Sequence, residues 1–105
     1  MQLTSFLQDG VLTIPLIGEL DHHRAKSYIA SITGKIEAYN PGLCILDFTE
    51  VTFMDSSGIA VVINALRGMK AVDGQLRLEG IGHQPMRVFR ASGIDKLIDI
   101  QEAVL

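Results

Sequence analysis

Apolar runs with the rhythm of strands alternate along this chain with stretches whose apolar residues recur every three or four positions, and short glycine-containing turns separate the two. Leu3 to Leu7 and Val11 to Ile17 flank Asp9-Gly10, which predicts two strands joined by a tight turn. After Gly18 the period lengthens. Ala25, Tyr28, Ile29, Ile32 and Ile36 fall on one face of a helix, with Asp21 as its N-cap. Asn40-Pro41-Gly42 stops that helix, and Leu43 to Phe48 is apolar enough for a central strand covered on both faces. Residues 57 to 70 read as a second helix. Gln75 to Ile81 reads as a strand after the Asp73-Gly74 turn, with Arg77 and Glu79 on its wetter side. A short helix with Pro85 in its first turn runs to about Ser92, and Gly93 ends it. Lys96 to Ile100 reads as a last strand or a helical turn. Such alternation needs crossover connections, so the expected class is α/β: a mixed, mostly parallel sheet opened by an N-terminal hairpin.

The 105 residues, 48% of them hydrophobic, suit one compact domain spanning residues 1–105. A net charge of -3 without any Lys/Arg run gives no footprint for nucleic acid or an anionic membrane. The single cysteine, Cys44, lies in the run Leu43-Cys44-Ile45-Leu46 and is expected to be a small buried hydrophobe. It cannot build a disulfide framework or a cysteine zinc site. Met1-Gln2-Leu3-Thr4-Ser5 lacks the pattern of a secretory leader, and no apolar stretch approaches the ~20 residues of a membrane span, so a cytoplasmic protein is expected.

Chemistry concentrates in Phe53-Met54-Asp55-Ser56-Ser57-Gly58-Ile59, where a strand pattern passes into a helix pattern. Serines at a helix start serve as caps. They also make good phosphate acceptors, because the free N–H groups and dipole of a helix N-terminus receive the new charge. Both uses are compatible if Asp55 or Ser56 caps the helix while Ser57 stays free, with Gly58 leaving clearance for a kinase to approach. Parallel strands bring their carboxyl ends to one edge, so Asp21, Asp55 and Ser57 are expected together there, with His83 following the next strand.

On a helical wheel Ile59, Val62, Ile63, Leu66 and Met69 form the expected core stripe of residues 57–70. Ser57 points away from it, in line with Ala60, Val61, Asn64 and Gly68. That second stripe is small and almost uncharged. It fits either packing against a neighbouring element or a docking surface, and an apolar patch beside a modifiable group favours docking.

Catalysis by Asp21 and Asp55 with His22, His23 or His83 lacks a third ligand at metal spacing, and Ser57 lacks the G-x-S-x-G setting of an acyl-transfer nucleophile. No enzyme, metal or cofactor is expected.

Val51-Thr52-Phe53-Met54-Asp55-Ser56-Ser57-Gly58-Ile59, together with Gly18-Glu19-Leu20-Asp21-His22-His23, resembles the anti-sigma factor antagonists of the STAS domain class, those of sporulation above all. The likeness runs along essentially the whole chain. It implies the STAS fold and partner switching: an unphosphorylated antagonist binds an anti-sigma factor that is also a serine kinase, which frees the sigma factor. The resemblance selects Ser57 over Ser56 as the residue the kinase modifies, sets Asp21 close to it, and implies a serine phosphatase that resets the cycle. It also leads one to expect that the closing helix of longer relatives is short or missing, since the sequence stops at Leu105. Within the same class, the alternative is a module that binds a partner, small ligand or nucleotide without being phosphorylated. A Gly-rich phosphate loop is absent from the sequence.

Overall fold

Asp9 and Gly10 both adopt positive φ, at 53° and 77°, the geometry that lets a two-residue turn match the twist of its flanking strands. They join β1 (Phe6–Gln8) to β2 (Val11–Leu20) in an antiparallel pair. The chain continues through α1 (His22–Tyr39), β3 (Leu43–Met54), α2 (Ser57–Ala71), β4 (Gln75–Ile81), α3 (His83–Ser92), a 3-10 turn (Ile94–Lys96) and β5 (Asp99–Glu102). This computed structural model describes residues 5–103, so Leu3 and Thr4 of the expected first strand lie outside the described residues.

The five strands pair in chain order, and every pairing after the hairpin is parallel. That is the mixed, mostly parallel α/β sheet expected from the alternation. The last segment, read over Lys96 to Ile100, holds the end of the 3-10 turn at Lys96 and the start of β5, which runs on to Glu102 and pairs Asp99 with Arg77 of β4.

One expectation needs correction. Leu43 to Phe48 does form a central strand, but the helices cover only one of its faces. Parallel strands laid down in sequential order send every right-handed crossover to the same side of the sheet. Leu12, Ile14, Leu16, Cys44, Leu46, Phe48, Leu76 and Leu78 are accordingly buried, while Val11, Thr13, Leu43, Ile45, Arg77 and Glu79 are half-buried on the other side. On that open face Arg77 pairs with Asp99 at 3.1 Å and with Glu79 at 3.7 Å. Such exposed pairs contribute little, typically below about 1 kcal/mol.

The covered face holds the core. Phe89 of α3 meets Phe48 of β3 edge to face, with ring centroids 5.6 Å apart. Ala25, Tyr28, Ile32 and Ile36 supply the buried face of α1, as their spacing requires. The Tyr28 hydroxyl donates to the Ile17 carbonyl at 2.8 Å and accepts from the Ile17 N–H at 3.2 Å, beside the register shift between Pro15 and Ile17. A backbone unit that the bulge takes out of the ladder thereby keeps both partners. Cys44 is fully buried, and burial pushes its thiol up to about 12, so at neutral pH it is an inert hydrophobe.

Gly80 marks the second irregularity, where β4 and β5 change register between Leu78 and Ile81. Its φ is +70°, and a Cβ there would overlap the Thr49 hydroxyl and lie 3.0 Å from the Thr49 backbone nitrogen. Gly80→Ala is expected to cost about 2–3 kcal/mol, from left-handed strain plus overlap with fixed backbone. A lowered urea midpoint at unchanged m-value is the measurement.

Candidate functional site

β2 and β3 run to the same edge of the sheet with Leu20 opposite Met54, so Asp21 and Asp55 leave it as neighbours. The Asp55 N–H donates to the Leu20 carbonyl at 3.3 Å, extending the ladder by one bond beyond the last paired residues. Each carboxylate then starts a helix. Asp21 Oδ1 accepts from the Arg24 N–H at 3.1 Å, which makes Asp21 the N-cap of α1.

At α2, Asp55 Oδ1 accepts from the Ser57 N–H at 2.8 Å, while Ser56, in the N-cap position, makes no side-chain cap bond. Asp55 is therefore the capping group. Ser57, the first residue of α2, is half-buried and enters this arrangement through its N–H, which leaves its hydroxyl out of the cap. A group attached to that oxygen would meet the positive end of the α2 dipole on one side and the Asp55 carboxylate on the other.

Gly58 has a different role from the one its sequence position suggests. It is buried, and a Cβ there would fall inside the Met54 side chain and lie 3.2 Å from Leu20 Cδ2. Its smallness lets α2 close onto the ends of β2 and β3. It does not open a path for an approaching enzyme.

The wheel for α2 also needs turning. The buried residues are Gly58, Val61, Val62, Ala65 and Met69, while Ile59, Ile63 and Leu66 are only partly buried at the margin. At 100° per residue the core direction is roughly 80° away from the one the large side chains suggest. Val61 is fully buried and offers no surface to a partner. Gly68 is half-buried and faces α1, since a Cβ would stand 3.5 Å from Ile36 Cδ1. Small residues form the seam because they let the two helices approach, and a wheel weighted by large apolar residues misses such a seam. Of the expected stripe, Ala60 is exposed and Asn64 half-buried, its amide donating to the Ala60 carbonyl at 2.8 Å.

One residue of this edge has no signature in the sequence pattern. Gln84, in the first turn of α3, accepts from the Met54 N–H at 2.8 Å and donates to the Met54 carbonyl at 2.6 Å. Its amide stands in for a strand partner where β4 no longer pairs with β3, and it ties α3 to the start of the α2 junction. A lone glutamine early in a helix carries no periodic signal, so only the tertiary contact reveals it. Gln84→Leu should strand both backbone groups at a cost of about 1–3 kcal/mol. Faster hydrogen exchange at the Met54 amide, with a lowered melting temperature, is the expected readout.

His83 follows β4 at the same sheet edge, but it lines a separate cleft with Arg90 and Glu102. The His22 and His23 rings touch edge to face at 5.9 Å, both on the surface. Among the described residues no three His, Cys, Asp or Glu side chains are grouped to hold a metal ion, and no helix is long and apolar enough to cross a membrane.

The model of the STAS domain family matches residues 6–104. The anti-sigma F factor antagonist of Lysinibacillus sphaericus is 34% identical over 83 residues, 79% of this chain and 71% of that protein. The anti-sigma-B factor antagonist of Listeria monocytogenes is 28% identical over 93 residues, 86% of this chain and 78% of the relative. Among solved structures, the anti-sigma factor antagonist SpoIIAA in its unphosphorylated form superposes with a TM-score of 0.80 at 29% identity, covering 94% of this chain and 87% of that one. The phosphorylated form of the Bacillus cell fate determinant SpoIIAA gives 0.71 at the same identity, covering 94% and 90%. With strand order, crossovers and nearly every described residue accounted for, the chain belongs to the STAS domain family.

Proposed function

We propose that this protein is an anti-sigma factor antagonist, a single STAS domain over residues 1–105 that works by partner switching. Its unphosphorylated form binds an anti-sigma factor that is also a serine kinase, and the sigma factor is released. That kinase phosphorylates Ser57, the complex separates, and a serine phosphatase restores the binding form. The chain is the substrate of this chemistry and not its catalyst, and it acts in the cytoplasm without a cofactor.

The observation that carries this reading is the division of labour at the start of α2. Asp55 takes the capping bond to the Ser57 N–H at 2.8 Å, and the Ser57 hydroxyl stays available at the positive end of a helix. Two further facts support it. Relatives named as antagonists of anti-sigma F and anti-sigma-B factors align over most of the chain, and SpoIIAA, 29% identical, has structures in both phosphorylated and unphosphorylated forms. Asp21 and Asp55 make the edge acidic before modification. The exposed Ala60 and half-buried Asn64, on the first two turns of α2, extend the contact surface next to the serine.

Incubation with the cognate anti-sigma factor kinase and ATP should add one phosphoryl group, read as intact mass, and Ser57→Ala should abolish it. Modification that persists in Ser57→Ala, or a wild-type protein left unmodified, contradicts the assignment.

A further inference from the structure

The stripe that the wheel takes for core, Ile59, Ile63 and Leu66, is left at the margin of α2, where it walls a groove shared with α3 and the 3-10 turn. The groove opens at Ser56 as a cleft of about 510 Å³ bordered by Ile59, Arg87 and Val88. It continues as one of about 300 Å³ bordered by Ile63, Leu66 and Leu97, the two meeting at Ile59 and Ser92. Leu97, at its far end, is 74% exposed, the most exposed of the large apolar residues among those described.

The rim is cationic. Arg67 and Lys70 border one side and Arg87 the other, and none of them pairs with a carboxylate among the described residues. In a chain of net charge -3, three unpaired cations around one apolar floor mark a local reversal of sign. From Ile59 to Lys70 the wall runs about 16 Å, three turns of helix.

We propose that this groove seats an acidic amphipathic helix of the partner protein, apolar residues down and carboxylates against Arg67, Lys70 and Arg87. The apolar floor matches one face of such a helix, and the cations match its flanks. Nucleic acid would find the cations but no exposed aromatic side chain to stack on in this floor. The inference rests on the reading of Ser57 as a partner-switching site and adds the chemistry of what is bound. Ser56 lines the head of the groove, which places one end of the seated helix next in the chain to Ser57.

Two helix-stapled peptides of about four turns test this, each with leucines along one face and either glutamates or lysines elsewhere. Added to the full 15N-labelled chain, the glutamate peptide should shift the amides of Ile59, Ile63, Leu66, Val88 and Leu97, and bind at least tenfold more tightly than the lysine peptide. Arg67→Glu combined with Lys70→Glu should remove that preference, and Leu97→Asp should weaken binding tenfold without lowering the melting temperature. Equal affinity for both peptides overturns the proposal. So do shifts confined to the open sheet face, or a groove already filled by a second copy, seen as shifts that disappear on dilution of the protein alone. No kinase enters this measurement. Peptide binding that fails while Ser57 is still modified removes only the groove, and modification that fails while the peptide binds removes only the phosphorylation reading.

Discussion

Ser57→Asp is expected to weaken the complex with the anti-sigma factor by about a hundredfold to ten-thousandfold while leaving the protein folded. The two effects have opposite signs because they draw on different surroundings of one atom. Within the free protein, a carboxylate on the first residue of α2 meets the positive end of the helix, a gain of about 0.3–1 kcal/mol, offset in part by repulsion from Asp55, which already accepts the Ser57 N–H. Stability should change by less than about 1 kcal/mol. In the complex the same charge, next to Asp55, is desolvated against a surface fitted to a neutral hydroxyl, which costs several kcal/mol, and each 1.4 kcal/mol is a tenfold loss. Calorimetric titration of the partner, set beside a melting curve of the variant alone, separates the two. Undiminished affinity in a folded variant contradicts the charge mechanism, and a collapsed melting curve means that Ser57 is structural.

Val61→Asp should abolish folding or cost about 3–5 kcal/mol, a large part of the 5–15 kcal/mol that a domain of this size commands. Val61 has no exposed surface and no cation beside it in the core, where no charged side chain is buried among the described residues. Val61→Ala, a smaller deletion, should lower the urea midpoint by the equivalent of about 1–2 kcal/mol. A docking residue would behave in the opposite way, with normal melting and lost binding. Ala60→Arg is the matched control on the exposed side of the same turn: its stability should stay within about 0.5 kcal/mol of the parent.

Much of this molecule is legible in the sequence. The hairpin, the three helices and the parallel order follow from apolar period and from turn residues whose backbone needs are specific, such as Asp9-Gly10 and Asn40-Pro41-Gly42. Asp21 as a cap follows from the chemistry of a short carboxylate before a helix. The junction at Asp55-Ser56-Ser57 was legible as a helix start, but the choice between Asp55 and Ser56 as cap was open until the 2.8 Å bond to the Ser57 N–H decided it.

Three features lay beyond pattern, each for the same kind of reason. The open face of β3 depends on which side the crossovers fall, a property of strand order and not of the strand's own residues. The buried side of α2 is made by Gly58, Val61, Val62, Ala65 and Met69, and the smallness of Gly58 and of Gly68 beside it gains meaning only from Met54, Leu20 and Ile36 opposite these glycines. Gln84 acts on Met54, thirty residues away in the chain. Local rules of period, capping and turn chemistry thus determined from sequence which elements form and where the helix starts gather. Which face of each element became core, groove or open surface was decided by the tertiary structure, because burial is a property of the neighbour a side chain meets and the neighbours come from distant parts of the chain.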